Sequence, residues 1–206
     1  IEVQLQQRDM LKHATVHTMS PRDELEFGPF KVEPYHVCHS IPDTVGLGIT
    51  TPEGLIVHSG DFKFDHTPVD GWPTDYAKLA DFTGRGVLLL MSDSTNADTP
   101  GRTSSEAALY DAFHQIMREA PGRLIVATFA SLISRVQQIV DVAAQHNRKI
   151  AVAGRSMVNN TAMARELGYL DIPDDMIVRL HEVDNLPPNE VVIMATGAQG
   201  EPMAVL

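Results

Sequence analysis

Short apolar segments alternate with longer segments of helical periodicity from residue 123 onward. The predicted strands cover residues 123–128, 149–153 and 191–195, and the predicted helices cover residues 132–146 and 158–167. Short connections between alternating strands and helices favour βαβ units, in which the strands form a parallel sheet. The second half of the chain is therefore predicted to be a Rossmann-like α/β domain.

The first part of the chain instead alternates apolar and polar residues, which predicts strands at residues 1–5, 14–19, 24–27 and 31–39. Residues 45–50 and 54–58 flank the tight turn Thr51-Pro52-Glu53-Gly54 and predict a hairpin. The continuous apolar run at residues 86–91 predicts a strand that is buried on both faces.

A change of composition at Asp98-Thr99-Pro100-Gly101 marks the predicted domain boundary. A helix capped by Ser104 or Ser105 is predicted to follow it, through residues 107–119. The chain starts at Ile1 rather than at a methionine, and it stops at Leu206, a few residues into a predicted helix. We therefore expect it to be an internal section of a longer protein.

Composition narrows the classes of function. The 16 basic and 27 acidic residues give a net charge of −11, which argues against non-specific binding to nucleic-acid phosphates through bulk charge. Cys38 is the single cysteine, so an internal disulfide is excluded and a reducing cytoplasm is expected. We expect Cys38 to be a small buried residue. No apolar run is long enough to cross a bilayer, so no membrane association is predicted.

His39 and Asp61 each follow an apolar strand-like run. Imidazole nitrogen and carboxylate oxygen are ligands of zinc and manganese, and a carboxylate can bridge two metal ions. Ligands at strand ends suit an open metal site, because the sheet fixes them while the loops leave room for a substrate. Two ligands do not complete such a site. A buried histidine bonded to a carbonyl and an aspartate that caps a turn remain the alternative interpretation.

Asp93 stands in a polar cluster, Ser92-Asp93-Ser94-Thr95-Asn96, directly after the apolar run at residues 86–91. The carboxyl ends of buried strands are where α/β proteins place ligands. Asp93 could therefore orient a metal-bound histidine through a hydrogen bond. A local turn or a helix cap is the alternative.

Polar residues also follow three predicted parallel strands, at residues 128–131, 154–156 and 196–200. Since these segments each follow a strand and precede a helix, they should lie along one edge of the sheet. Backbone N–H groups at helix starts, with Arg155 and the hydroxyl groups of Ser131 and Ser156, suit phosphate binding. Ordinary loops between strands and helices are the alternative.

Two groups of longer stretches resemble the two parts of one known family. The first group consists of His39-Ser-Ile-Pro-Asp43, Gly60-Asp-Phe-Lys63, Pro68-Val-Asp-Gly71, Gly86-Val-Leu-Leu-Leu-Met-Ser-Asp-Ser-Thr-Asn-Ala97 and Pro100-Gly101. The second group consists of Ala127-Thr-Phe-Ala-Ser131, Gly154-Arg-Ser-Met157, Glu166-Leu-Gly-Tyr-Leu170 and Thr196-Gly-Ala-Gln-Gly-Glu-Pro-Met203. In this order they resemble the metallo-β-lactamase part and the β-CASP domain of the bacterial ribonuclease J family.

The resemblance implies a fold with two parts. Residues 1–98 would form part of a metallo-β-lactamase sheet of the αββα type, and residues 99–206 would form most of the β-CASP domain. It also implies a cytoplasmic, two-metal ribonuclease with 5′→3′ exonuclease and endonuclease activities that acts in RNA processing and decay. RNA would be its partner, and a homo-oligomer, either a dimer or a tetramer, is expected.

The resemblance also implies roles for single residues. His39 would bind one metal ion and Asp61 would bridge two, with zinc as the expected metal and manganese as the alternative. Asp93 would match the acidic residue at the start of the β-CASP motifs. The RNA-facing residues would be Ser131, Arg135, Arg155 and Ser156. A hydroxide bound to the metal ions would then attack the phosphorus.

The chain departs from the family pattern in three ways. It has no His-x-His-x-Asp-His motif, on which most of the family's metal ligands stand, and it lacks the family's C-terminal motifs, which supply a further metal ligand and phosphate contacts. In addition, Leu132-Ile133-Ser134-Arg135 has no histidine where family members commonly carry one. We therefore expect no appreciable hydrolysis by this segment alone. Two other functions stay open: a β-CASP nuclease that acts on DNA or on another class of RNA, and a non-catalytic α/β module that binds nucleotides or phosphate.

Overall fold

The computed structural model describes residues 2–196, which group into two compact units. The first unit contains the described residues up to His36, with Val45–Gly60 and Asp75–Asp93. The second contains Val37–Thr44, Asp61–Thr74 and the described residues from Ser94 onward. The chain passes from the first unit to the second between Asp93 and Ser94, close to the predicted boundary at residue 98. However, two earlier loops, Val37–Thr44 and Asp61–Thr74, also belong to the second unit. The assignment of residues 1–98 and 99–206 to two separate domains stays a prediction.

The first unit is built on a five-stranded sheet with the strand order β1-β2-β3-β4-β5. The strands are β1 Leu25–Phe27, β2 Phe30–His36, β3 Val45–Thr51, β4 Gly54–His58 and β5 Val87–Met91. Strands β1 to β4 pair antiparallel, whereas β5 is parallel to β4. The predicted hairpin of β3 and β4 is confirmed.

Two helices of this unit depart from the sequence predictions. The predicted strand at residues 1–5 is wrong, because the chain forms helix α1 (Glu2–Gln7), in which good helix formers outweigh the alternation of polarity. No strand forms at residues 14–19. Helix α2 (Tyr76–Arg85) was not predicted. The side chain of Asp75 caps it by accepting a hydrogen bond from the Lys78 backbone N–H, and Gly86 ends it with a φ of +83°.

Strand β5 forms where the apolar run predicts it, but its predicted burial is wrong for the described part of the chain. All five of its residues are exposed, and Leu88 and Leu90 keep 61% and 62% of their surface. Among the described strands, β5 is at the edge of the sheet and pairs with β4 alone. An apolar run shows that a strand can be covered on both faces, but it does not show which element covers it.

The aromatic rings of Tyr35 and Phe82 form the centre of the first unit. They meet edge to face with their centroids 5.6 Å apart, and both residues are at most 2% exposed. Gly46 and Gly48 on β3 leave the space for these rings, because a Cβ at either position would overlap the Tyr35 or the Phe82 ring. The two glycines therefore allow helix α2 to pack closely on the sheet.

The second unit contains a four-stranded parallel sheet with the order β6-β9-β7-β8. The strands are β6 Leu124–Ala127, β7 Lys149–Ala153, β8 Ile177–Val178 and β9 Val191–Ala195. Its helices are α3 Leu109–Glu119, α4 Ile133–Gln145 and α5 Arg155–Glu166. The predicted fold class, an α/β protein with a second, parallel sheet, is confirmed.

Helix α4 supplies much of the core of the second unit. Val136, Ile139 and Val142 on this helix are completely buried, as are Ile150 on β7 and Val192 on β9. These residues belong to one apolar cluster. The sheet is thereby held against α4, which fixes the positions of the strand ends. Among residues 2–196, the helices are too short or too polar for any of them to span a bilayer.

Candidate functional site

His39 and Asp61 stand on two loops that belong to the second unit, Val37–Thr44 and Asp61–Thr74. His39 is partly buried and Asp61 is exposed. The loops are joined by two backbone donors, since Lys63 N–H donates to the carbonyl of Cys38 at 2.7 Å and Cys38 N–H donates to Thr74 Oγ1 at 2.9 Å. The two predicted ligands therefore lie on loops that are held together next to them.

Cys38 is buried, as predicted, and its exposed fraction is 7%. Burial is the main reason that the pKa of its thiol is raised, and Asp70 and Asp65 raise it further. A protonated buried thiol is a poor nucleophile. Cys38 therefore serves the packing of the loop that carries His39.

The chain turns sharply at Gly60, directly before Asp61. Gly60 has a φ of +63°, and a Cβ there would lie 2.7 Å from the carbonyl oxygen of Val45. Only glycine fits this turn without strain. The direction in which the chain leaves β4 and reaches Asp61 therefore depends on this residue.

Asp93 follows β5 and belongs to the first unit. Its backbone N–H donates to Ser59 Oγ at 2.9 Å, and the Ser59 hydroxyl donates to the carbonyl of Gly60 at 2.6 Å. The ends of the parallel neighbours β4 and β5 are thus joined through one hydroxyl group. This contact fixes the backbone of Asp93. The hydrogen bond from the Asp93 carboxylate to a metal-bound histidine stays a prediction.

Four charged residues connect the Asp61–Thr74 loop to helices α3 and α4. Lys63 Nζ lies 3.6 Å from a carboxylate oxygen of Asp65 and 3.6 Å from one of Glu106. Glu106 in turn binds Arg135, whose Nη2 donates to it at 2.6 Å. Lys63, Asp65, Glu106 and Arg135 are called the loop clamp below. No sequence pattern predicted this cluster, because its members are far apart along the chain.

Asp65 is the most deeply buried member of the loop clamp, with 4% of its surface exposed. Burial raises the pKa of its carboxyl, but the hydrogen bonds from the backbone of Thr67, from Ser105 and from the backbone of Glu106, with the charge of Lys63, outweigh that effect and lower the pKa. Asp65 is therefore an anion in the folded protein at neutral pH. It holds the loop to the start of α3.

The carboxyl ends of three parallel strands form one edge of the second sheet. Ala127, Ala195 and Ala153 are in register as neighbours on β6, β9 and β7. Thr128 and Gly154 follow two of these alanines directly, and Thr128 N–H donates to the Ala195 carbonyl at 3.0 Å. The predicted common edge is confirmed for these segments and for Thr196. Residues 197–200 of the third segment lie outside the described residues.

Two helices begin at this edge without a side-chain cap. Helix α4 starts after Leu132 and helix α5 starts after Gly154, which has a φ of +92°. Ser131, Arg155 and Ser156 are exposed at these starts. Uncapped N–H groups and the positive ends of two helix dipoles favour an anion. This edge therefore has the chemistry of a phosphate site.

Thr128 gives a further indication at the same edge. Its side chain is 3% exposed, and its Oγ1 has no hydrogen-bond partner among the residues that the structure describes. A buried hydroxyl without a partner is costly, and such groups occur where a ligand or water completes them. Thr128 was not singled out as a site residue from the sequence, because a threonine that ends a strand is common.

Arg135 differs from the other residues that the resemblance places on the RNA-facing side. Its guanidinium donates from Nε and Nη2 to one oxygen of Glu106, at 3.2 and 2.6 Å. Arg155, in contrast, is exposed. The RNA-facing roles of both residues stay predictions, but the charge of Arg135 is paired with Glu106, whereas Arg155 is exposed.

The described residues do not form a complete metal site. No group of three or more histidine, cysteine, aspartate or glutamate side chains within residues 2–196 is arranged to hold a metal ion. A catalytic zinc ion typically has three protein ligands. His39 and Asp61 supply one imidazole and one carboxylate, so these two residues are insufficient by themselves for the two-metal centre that the resemblance implies.

Comparison with known proteins agrees with this architecture. Residues 121–206 match the family model described as ribonuclease J, β-CASP domain. This part of the chain, with its parallel sheet and its phosphate-suited edge, is therefore of the β-CASP class. A crystal structure of a protein of unknown function from Enterococcus faecalis V583 has a similar fold, with a TM-score of 0.63 and 16% sequence identity over 88% of this chain and 44% of that one.

Sequence relatives then identify the particular family. The chain is 47% identical to ribonuclease J of Synechocystis sp. over 203 residues, which are 98% of this chain and 32% of that protein. It is 46% identical to ribonuclease J of Thermus thermophilus over 91% of this chain and 33% of that protein. The resemblance to ribonuclease J is thus confirmed over nearly the whole chain, which spans about a third of the length of these two relatives.

Proposed function

We propose that the full-length protein is a ribonuclease that hydrolyses phosphodiester bonds of RNA, and that this chain supplies part of its RNA-binding surface. The observation that carries the proposal is the edge formed after Ala127, Ala153 and Ala195, where two uncapped helices begin. Relatives named ribonuclease J, at 46–47% identity over at least 91% of this chain, support RNA as the substrate.

At this edge, each group has a distinct task. The N–H groups at the starts of α4 and α5 donate to phosphate oxygens, and Arg155 supplies a positive charge. The hydroxyl groups of Ser131 and Ser156 donate further hydrogen bonds and orient the backbone of the RNA. Because the chain has a net charge of −11, this local site, rather than overall charge, must attract the RNA.

We further propose that the full-length protein depends on two divalent metal ions, zinc or manganese. His39 and Asp61 would be two of the ligands, with the remaining ligands supplied by parts of the protein outside this chain. Bound ions would provide charge stabilisation for the phosphoryl group. Because no complete ligand set occurs within residues 2–196, the isolated chain is expected to be inactive.

The finer activities follow from the same relationship. We propose both 5′→3′ exonuclease and endonuclease activity, a role in RNA processing and decay in the cytoplasm, and assembly into a dimer or a tetramer. These proposals rest on the similarity to ribonuclease J.

A cleavage assay with matched oligonucleotides tests the proposed function. Full-length protein is incubated with an RNA and with a DNA of the same sequence, in the presence of Zn²⁺ or Mn²⁺. We expect RNA to be cut and DNA to be left intact, since a site that contacts the 2′-hydroxyl selects RNA. Cleavage of the DNA alone would favour the alternative nuclease, and cleavage of neither would overturn the proposal.

A non-catalytic phosphate-binding module is the second candidate. It is favoured by the Thr128 hydroxyl at the same edge, which has no hydrogen-bond partner within residues 2–196. The matching experiment is a titration of the protein with nucleoside monophosphates, for the wild type and for Arg155→Gln. Binding that Arg155→Gln weakens, together with no cleavage of any nucleic acid, would support this second candidate.

A further inference from the structure

Two histidines that are distant in sequence meet on the helical layer of the second unit. Nδ1 of His114 on α3 lies 3.1 Å from Nε2 of His146, which directly follows α4. Their rings are tilted by 55°, with centroids 5.4 Å apart. Both side chains are partly buried. Neither histidine showed a partner pattern in the sequence, because 32 residues separate them.

The distance between these two nitrogens suits two ligands of one metal ion. Zinc–imidazole bonds are about 2.0–2.1 Å long, so two adjacent ligands lie about 3.3 Å apart at a tetrahedral angle and about 2.9 Å apart at a right angle. The observed 3.1 Å falls between these values. In the metal-free pair the two nitrogens face each other, so both rings must rotate before their lone pairs point at a common ion.

The surroundings of His146 also favour a cation. Its backbone N–H donates to the carbonyls of Val142 and Ala143, so the residue is fixed at the carboxyl end of α4. That end of a helix carries partial negative charge. Arg148, which follows shortly after, already donates to three carbonyl groups, those of Met117, Ala120 and Gly122. Its positive charge is therefore compensated by protein atoms.

We propose that His114 and His146 form a binding site for a divalent cation that prefers imidazole ligands, such as Zn²⁺, Ni²⁺ or Cu²⁺. The ion would be held by His114 Nδ1 and His146 Nε2, with water at the other positions. This site is separate from His39 and Asp61, and it does not depend on the proposed nuclease function. Bound metal would join α3 to α4 and stabilise the second unit.

Metal binding requires one of the two imidazoles to change its tautomer. In the metal-free pair, one ring donates its N–H to the other ring. When the metal binds, that ring must move its proton to its other nitrogen, so two neutral imidazoles bind the ion without a net release of protons. With two protein ligands, the affinity is expected to be modest.

The proposal is tested by isothermal titration calorimetry, in which Zn²⁺ is titrated into full-length protein that has been treated with a chelator. We compare the wild type with His114→Gln and His146→Gln, and we use His181→Gln, which changes an exposed histidine outside the pair, as the control. Each of the first two variants should lose about one equivalent of Zn²⁺ per chain, and the control should lose none. Zinc should also raise the Tm of the wild type more than that of either variant.

Equal zinc stoichiometry and affinity in the wild type, His114→Gln and His146→Gln would overturn the proposal. A second measurement needs no variant and covers the case in which the variants do not fold. Crystals of the wild type are soaked in ZnCl₂, and anomalous diffraction is recorded at the zinc edge. A peak within bonding distance of both nitrogens supports the site, and its absence from between the two rings contradicts it.

Discussion

Arg135 on helix α4 donates two hydrogen bonds to one carboxylate oxygen of Glu106, which stands just before helix α3. The pair is partly buried, with 29% and 25% of the two side chains exposed. A guanidinium held in this way contributes to the stability of the fold. It is a weaker candidate for contact with RNA than an exposed arginine.

The first prediction separates these two roles. Arg135→Gln should lower the free energy of unfolding by about 1–3 kcal/mol, because Glu106 loses a charged partner. It should leave the salt dependence of RNA binding unchanged. Arg155→Gln, the matched variant, should reduce the slope of log affinity against log salt by about 1 and leave stability nearly unchanged. Urea unfolding and salt titrations of RNA binding measure both effects. A reduced slope in Arg135→Gln would show that Arg135 contacts phosphate.

The second prediction concerns the pH dependence of stability at Glu33. This carboxylate is 2% exposed and binds Lys78 Nζ and Arg85 Nη1, each at 2.8 Å. Burial raises the pKa of Glu33, but the hydrogen bonds and charges of Lys78 and Arg85 outweigh it and lower the pKa. The carboxylate therefore stabilises the fold above the unfolded pKa of about 4.3. This contribution disappears as the pH falls through the lower, folded pKa.

Glu33→Gln isolates this contribution from the titration of other carboxyl groups. Urea unfolding of the wild type and of the variant is measured at pH 7 and at pH 3. The variant should be less stable at pH 7, by about 1–3 kcal/mol, and the difference should shrink at pH 3. A difference that stays constant between the two pH values would contradict the role of the charge.

The third prediction concerns the buried guanidinium of Arg148, which binds carbonyl groups at and just after the end of helix α3. Arg148 is 4% exposed and donates to the carbonyls of Met117, Ala120 and Gly122. Arg148→Met keeps much of the side-chain volume but leaves these acceptors without a donor. It should cost about 2–4 kcal/mol and speed up amide exchange at the end of α3. Arg118→Met, at a side chain that is 68% exposed, is the control and should change stability little. An equal loss of stability in Arg148→Met and Arg118→Met would contradict the role of these hydrogen bonds.

The fourth prediction compares two glycines of the first unit. A Cβ on Gly48 would overlap the buried ring of Phe82, so Gly48→Ala should destabilise the protein by about 1–3 kcal/mol. Gly84 lies within helix α2, and a Cβ there would meet nothing within 4 Å. Gly84→Ala should therefore stabilise the protein by about 0.5–1 kcal/mol. Thermal unfolding should therefore show a lower Tm than the wild type for Gly48→Ala and a higher Tm for Gly84→Ala. A change of the same sign in both variants would contradict the packing argument.

The parallel sheet was predictable because its strands are short apolar runs, and because β6 and β7 are each followed by a helix with 3.6-residue periodicity. The same pattern predicts that Thr128 and Gly154 lie at a common edge of the sheet. Helix α2 was not predictable in the same way. Its start depends on the Asp75 side chain, and its packing depends on space left by Gly48, a residue on another element.

Contacts between distant residues explain what the sequence could not predict of the candidate site. Arg135 was assigned to the RNA-facing side by resemblance, whereas its pairing with Glu106 depends on how α3 and α4 pack. The approach of His114 and His146 depends on the same packing. Local patterns predict which segments form helices and strands, but they do not predict which side chains meet.

The order of strands in the parallel sheet also affects how the second unit can fold. Strand β9 (Val191–Ala195) lies between β6 and β7, although it follows both of them in the chain. Val191, Val192 and Met194 on this strand are completely buried. During synthesis, β6 and β7 leave the ribosome without the neighbour that separates them, and their backbone edges toward β9 stay unpaired until residue 195 has emerged. The late insertion of β9 should therefore govern the rate at which this unit folds, because it requires the closure of long loops. Until β9 is inserted, the open sheet is prone to aggregation.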